Sequence, residues 1–295
     1  MVFQSTVSRE ARFTGVGLHT GAPVTLSVRP AVVDSGFRFV IARPGMQPVT
    51  IHARSGNIQA TSYATSLGQD GVQLHTVEHL LAALAGLEVD NAEMWLDSCE
   101  VPVMDGSAMP FVEGLKAVGR VEQSKERSAV RITRPLRVEA EGKWIELLPA
   151  AVPGLTIDYA IDFEHPSVGQ QRFHLELSPQ NFENELAAAR TFGFAAEVDY
   201  LKSRGLARGG SLDNAVVIGE DGVLNPGGLR FADEPVRHKV LDLVGDLALL
   251  GFPLWGHLIA HRSGHALHTR LVEEILRRPD CWEYVHGAEP AALAV

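Results

Sequence analysis

TVEHLLAALAG, residues 76–86, is the stretch at which the periodicity of this chain changes. Upstream, VTLSVRP (24–30) and FRFVIARP (37–44) alternate or run apolar between Pro and Gly punctuation, and residues 1–60 as a whole read as strands. From Thr76 onward, Val77, Leu80, Leu81, Leu84 and Leu87 fall at the spacing of one helical face, with Gly86 as the expected stop signal. EMWLDS (93–98) returns to a strand pattern, and Ser107 is the expected cap of a second helix over about 108–118. Strands followed by a pair of helices is the order of an α+β unit.

The second half repeats that order. GRVEQSKERSAV (119–130) is polar and weakly patterned and reads as the boundary between two units, 1–122 and 127–295. Strands are expected over 129–139, 143–149 and 154–161. Ser178-Pro179 sets a cap before a proline at the first helical position and opens a helix to about 189. Glu234-Pro235 does the same for a helix over 235–250, closed by Gly251 with Pro253 beyond. Ser263 opens a last helix that Pro279 ends. The expectation is two similar α+β units, although the halves share too little sequence to show a repeat by letters alone.

With 45% hydrophobic and 21% charged residues, the 295-residue chain has the material for a buried core. Its net charge of -10 makes it a poor general nucleic-acid binder, since that role needs an excess of Lys and Arg against phosphate. Cys99 and Cys281 form neither a disulfide framework nor a CxxC zinc knuckle. MVFQSTVSREARF has no continuous apolar core and does not read as a signal peptide, nor is any stretch apolar enough to span a bilayer. A cytoplasmic chain is expected, and as a monomer. The twelve histidines are dispersed among carboxylates, the raw material of a catalytic metal site.

VRHKVLDLVGDLALLG (236–251) places His238 and Asp242 one helical turn apart, side by side on the helix. Imidazole and carboxylate at that spacing suit a metal, and equally a helix-surface hydrogen bond, the commoner reading of spacing alone. Val240, Leu241, Leu243, Val244 and Leu247 leave almost no polar face, so His238, Asp242 and Asp246 are expected to be at least partly buried. Buried charge is costly unless paired or bound to a cation. In the helix opened at Thr76, Glu78 and His79 are adjacent and point about 100° apart. If His79 binds a metal, Glu78 can reach a water beside it, as the general base of a zinc hydrolase does. A capped, partly exposed Glu-His pair is the commoner reading of those two residues taken alone. In HRSGHALHTRL (261–271), His265 falls in the first turn of the last helix and could donate a proton if a carboxylate such as Asp246 holds its other nitrogen. His261 and His268 read as surface or core residues.

GVGLHTG (15–21), TVEHLLAALAGLEVDN (76–91), VPVMDGSAMPFVEGL (101–115), ARTFGF (189–194), SRGLARGGSLDNAVV (203–217), LRFADEPVRHKVLDLVGDL (229–247) and HRSGHALHTRL together closely resemble the bacterial UDP-3-O-acyl-N-acetylglucosamine deacetylases, from about residue 3 to 278. The resemblance implies two similar α+β domains, each a sheet with two helices, with the helices packed between the sheets. It implies a zinc-dependent amidohydrolase that removes the acetyl group from a UDP-linked acylated glucosamine, the committed step of lipid A biosynthesis. The implied metal ligands are His79, His238 and Asp242, for zinc, with ferrous iron as the alternative in the cell. Glu78 is the implied base, His265 the implied acid supported by Asp246, and Thr191 the implied stabiliser of the oxyanion.

For the substrate, Lys239 and Arg262 are the candidates for the pyrophosphate. Asp162 and Phe163 match the family's uridine-binding segment, although Phe163 reads equally as strand core. Phe192, Gly210 and Ser211 are further candidates. Leu206, Ala207, Leu212, Ala215 and Val217 match the acyl passage and, without the resemblance, read as a strand core. TSYATSLGQDG (61–71) departs from the family pattern: Ala64 and Ser66 stand where some members have cysteines. Three rival readings are weighed against this one: a zinc amidase for another sugar or peptide, an RNA-binding module on a similar fold, and a chain whose zinc is structural only.

Overall fold

The computed structural model describes residues 1–43, 45 and 47–287. Pro44, at the end of the expected strand 37–44, and the last part of the expected second unit, 288–295, lie outside the described residues. The architecture is α+β. Six helices are described: α1 (Glu78–Gly86), α2 (Met109–Val118), the short turn α3 (Pro179–Asn181), α4 (Ala195–Ser203), α5 (Glu234–Leu247) and α6 (His265–Arg277).

The first half is built on a five-stranded sheet in the order Ala11–Val16, Pro23–Pro30, Ala92–Leu96, Phe37–Ile41, Val49–His52. Its neighbours are antiparallel except Phe37–Ile41 and Ala92–Leu96, which run parallel. Phe13, Leu26, Val28, Phe39, Ile51 and Met94 alternate onto the buried face. The Phe13 ring meets Phe111 of α2 edge-on at 5.1 Å. The second half is built on a seven-stranded sheet centred on Leu254–His261, which pairs with Lys143–Leu148, Ser128–Ile132 and Leu155–Asp162.

Between the two sheets lie α1 and α5, packed on each other, with α2 beside α1 and α6 beside α5. In α1 every residue but Ala85 is buried, and in α5 every residue but Arg237 and Lys239, as expected of helices enclosed on all sides. The contact is close because Gly245 has no side chain: a Cβ there would lie 2.1 Å from the Glu78 carbonyl oxygen.

Several local expectations are corrected. Arg120–Glu126, inside the polar stretch read as a boundary, is a strand paired with Phe3–Val7, because edge pairing satisfies its backbone whatever its polarity. The expected strand 129–139 is two strands, Ser128–Ile132 and Leu136–Ala140, interrupted at Pro135, which cannot donate to a ladder. Ser178 does cap its helix, accepting from the Asn181 N–H at 3.2 Å, but the helix continues as a π turn and stops at Leu186 rather than about 189. Gly86 is not a left-handed cap. It is the last residue of α1, and a Cβ there would lie 2.4 Å from the Phe182 ring. Glu234 begins α5 but its carboxylate is used by the Arg190 backbone N–H and guanidinium, not as a cap. Ser263 lies before α6 and donates its hydroxyl to Tyr159 Oη at 2.6 Å instead of capping. Among the elements that carried no expectation are α4, which buries no residue, and the central strand Leu254–His261, where the outward-facing Ile259 blurs the alternation.

Candidate active site

Three ligand-type side chains converge where α1 crosses α5. His79 is the second residue of α1, and His238 and Asp242 lie one turn apart on α5. Asp242 Oδ1 is 3.2 Å from His238 Nε2 and 3.7 Å from His79 Nε2, and all three residues are buried. His238 Nδ1 lies 3.1 Å from the Ala189 carbonyl oxygen, which can only accept. That contact lets Nδ1 donate to the carbonyl and turns Nε2 toward Asp242. Burial and the neighbouring His238 hold His79 down to about 3, so it is neutral. Asp242 titrates well below the usual carboxylate range: burial opposes this, but His238 and Lys239 outweigh it. Two imidazole nitrogens and a carboxylate oxygen therefore face one point, an arrangement that suits a divalent cation.

Glu78 and His265 border the same point. A carboxylate oxygen of Glu78, one of Asp242 and a ring nitrogen of His265 all lie within 4.8 Å of one another. Burial drives the Glu78 carboxyl up to about 8, against the pull of His265 and with the push of Asp242. Its Oε2 accepts from the Thr65 backbone N–H at 3.1 Å. His265 opens α6, and its Nδ1 donates to Asp246 Oδ2 at 2.8 Å. Burial disfavours the imidazolium, but Asp246 and Asp242 overcome it and hold His265 up to about 9. Asp246 is wholly buried, yet His265 keeps it ionised, down to about 2. Lys239 Nζ donates to Asp242 Oδ2 at 2.8 Å, and the carboxylate raises its pKa in spite of burial.

These groups open into a cleft of about 470 Å³. Of the substrate candidates, Phe163, Phe192, Lys239 and Arg262 line it, as does the oxyanion candidate Thr191. Phe163 stands just past its strand, with its ring 5.7 Å from those of Phe192 and Phe194. Asp162, Leu206, Ala207, Gly210, Ser211, Leu212, Ala215 and Val217 are not on the cleft wall. The segment after α4 is instead held to the turn that carries Leu18: Gly209 N–H donates to the Leu18 carbonyl at 3.0 Å and Arg208 N–H to the His19 carbonyl at 3.2 Å. Leu18 itself lines the cleft. A larger cavity of about 820 Å³ opens by Gly86 and Leu247, but the convergent metal-ligand groups line the smaller one.

The sequence reading missed Thr65, which is fully buried and donates its hydroxyl to Asp246 Oδ1 at 2.5 Å. Nothing in its neighbourhood signals this, because the partner comes from the other half of the chain. His268, read as a surface or core residue, is in the core, with Nδ1 2.8 Å from Asp246 Oδ2 and Nε2 3.1 Å from Tyr159 Oη. Its three-residue spacing from His265 was the available signal.

The family described as "UDP-3-O-acyl N-acetylglycosamine deacetylase" matches residues 4–277. Curated relatives described as "UDP-3-O-acyl-N-acetylglucosamine deacetylase" include one from Syntrophotalea carbinolica, 46% identical over 292 residues, covering 99% of this chain and 94% of the relative. Another, from Shewanella violacea, is 46% identical over 289 residues, covering 97% and 93%. A third, from Geobacter sp. strain M21, is 46% identical over 286 residues, covering 97% and 92%. Matched over nearly all of its length, the chain belongs to the UDP-3-O-acyl-N-acetylglycosamine deacetylase family.

Proposed function

We propose that this cleft hydrolyses the acetamide of a UDP-3-O-acyl-N-acetylglucosamine, releasing acetate and the free amine, the committed step of lipid A biosynthesis. The observation that carries the reading is the meeting of His79, His238 and Asp242 with Glu78 and His265 at one buried point. Two imidazoles and a carboxylate favour zinc, with ferrous iron as the alternative, and three protein ligands leave a position open, unlike a closed structural site. Held by His79, His238 and Asp242, such a cation would supply Lewis acidity toward the acetyl carbonyl and the attacking water.

The chain's own groups do the rest. Glu78 takes a proton from the attacking water as its oxygen joins the acetyl carbon. The Thr191 hydroxyl, on the cleft wall, donates to the oxygen that gains charge. His265, held as imidazolium by Asp246, delivers a proton to the nitrogen as the C–N bond breaks, because an amine leaves poorly until protonated. Asp246 stays ionised throughout and fixes the ring.

Lys239 and Arg262 are assigned to the pyrophosphate, and Asp162, Phe163 and Phe192 to the uridine end and adjoining wall. Residues Leu206, Ala207, Gly210, Ser211, Leu212, Ala215 and Val217 are assigned to the acyl chain. Residues 1–122 and 127–295 are read as two domains that meet at the site. The chain is read as a cytoplasmic monomer, and among the described residues no helix is long and apolar enough to cross a membrane.

The test is acetate release from the UDP-3-O-acyl substrate by purified protein, with and without a chelator. Release that stops on chelation and returns with zinc is expected. Equal turnover of a UDP-sugar lacking the acyl chain would favour an amidase of different specificity.

A further inference from the structure

Thr65 touches three of the candidate catalytic residues with its backbone N–H and its hydroxyl. It stands just before the strand Ser66–Gln69 and is wholly buried. Its carbonyl accepts from the Val77 N–H at 3.3 Å, which ties it to the start of α1. Its backbone N–H donates to Glu78 Oε2 at 3.1 Å. Its hydroxyl lies 2.5 Å from Asp246 Oδ1 and 3.2 Å from His265 Nδ1. An ionised carboxylate can only accept, so the hydroxyl proton points to Asp246 and an Oγ1 lone pair is left for the Nδ1–H of His265.

Asp246 is thus gripped on both oxygens. Thr65 holds Oδ1, while Oδ2 accepts from His265 and His268. Without the hydroxyl, Oδ1 would be a buried acceptor with no partner here, and the carboxylate could turn about its Cβ–Cγ bond. The His265 ring would turn with it.

We infer that Thr65 is a positioning residue that sets the proton-accepting Glu78 and the Asp246–His265 pair in one fixed arrangement, its backbone holding the first and its hydroxyl the second. The inference rests on the deacetylase reading above. Thr65 comes from the first half of the chain and Asp246 and His265 from the second, so the contact also ties the two halves together in the buried interior.

The experiment uses the metal-loaded full-length protein and compares wild type with Thr65→Val, Thr65→Ser, Asp246→Asn and the double Thr65→Val/Asp246→Asn. Valine keeps the shape and the backbone N–H and removes only the hydroxyl. Thr65→Val should lower kcat by about 10- to 100-fold, the usual scale for a group that orients a site residue. KM and metal content should stay at the wild-type value. Thr65→Ser should restore most of kcat, and the double variant should be no slower than Asp246→Asn alone, because both changes break one contact. If Thr65→Val does not fold, Thr65→Ala gives the same reading. Wild-type kcat in Thr65→Val, a Thr65→Ser as slow as Thr65→Val, or additive losses in the double variant would overturn the inference while leaving the deacetylase reading intact. A wild-type protein inactive on the UDP substrate would overturn both.

Discussion

His79 Nε2 and Asp242 Oδ1 stand 3.7 Å apart, one from each half of the chain, with both side chains buried and the imidazole neutral. An imidazole and a carboxylate facing each other in this way, with the His238 Nε2 atom beside them, form a donor set that suits a divalent cation.

Removing one of them should remove the metal. His238→Ala is expected to lose stoichiometric zinc and activity together, with its far-UV circular dichroism retained. Full zinc in purified His238→Ala, measured by elemental analysis, would show that the ligand set is wrongly drawn.

Glu78 and His265 should divide the proton transfers. Glu78→Gln and His265→Ala are each expected to lower kcat by roughly 10²–10⁴ with metal retained. The acid works only while protonated, so activity should fall as pH rises past the His265 value of about 9. Burial favours the neutral ring and Asp246 opposes it, so Asp246→Asn should move the basic limb of the profile to lower pH. An unmoved basic limb in Asp246→Asn would take the acid role from His265.

In the metal-free protein the buried Glu78 carboxyl should contribute a loss of stability as pH rises. Burial lifts Glu78 to about 8, so above the ordinary carboxyl range the unfolded chain gives up a proton that the folded chain keeps, and each further pH step favours unfolding until about pH 8. Glu78→Gln has no such charge to bury. In the presence of a chelator its Tm should exceed that of wild type at pH 8 by at least about 2 °C, and the difference should close near pH 4. Equal Tm values at pH 8 would mean that the buried carboxylate is not a source of instability.

The site should also depend on a residue with no chemistry of its own. Gly245→Ala would set a methyl group 2.1 Å from the Glu78 carbonyl oxygen, a backbone atom that cannot swing away. The α1–α5 crossing must widen, which should cost about 1–3 kcal/mol in denaturant unfolding and weaken metal binding by parting His79 from Asp242. Unchanged stability and metal affinity would show that the crossing can give without cost.

The sequence by itself determined what short-range periodicity can encode. The apolar rows of 76–86 and 236–251 specify two buried helices, and helical pitch alone sets His238 beside Asp242. The order of strands and helices determines an α+β chain, and the chemistry of buried His and Asp points to a cation. The resemblance of its motifs named the family. What the sequence alone left undecided are the contacts between segments far apart in the chain. That Leu254–His261 is the centre of the second sheet, that Gly245 lets α5 approach α1, and that Thr65 reaches Asp246 follow from packing two sheets around one helix pair. Local propensity is indifferent to these meetings, because the free energy that selects them is the burial of the whole α1–α5 interface and the cost of leaving Asp246 ionised in the core without partners.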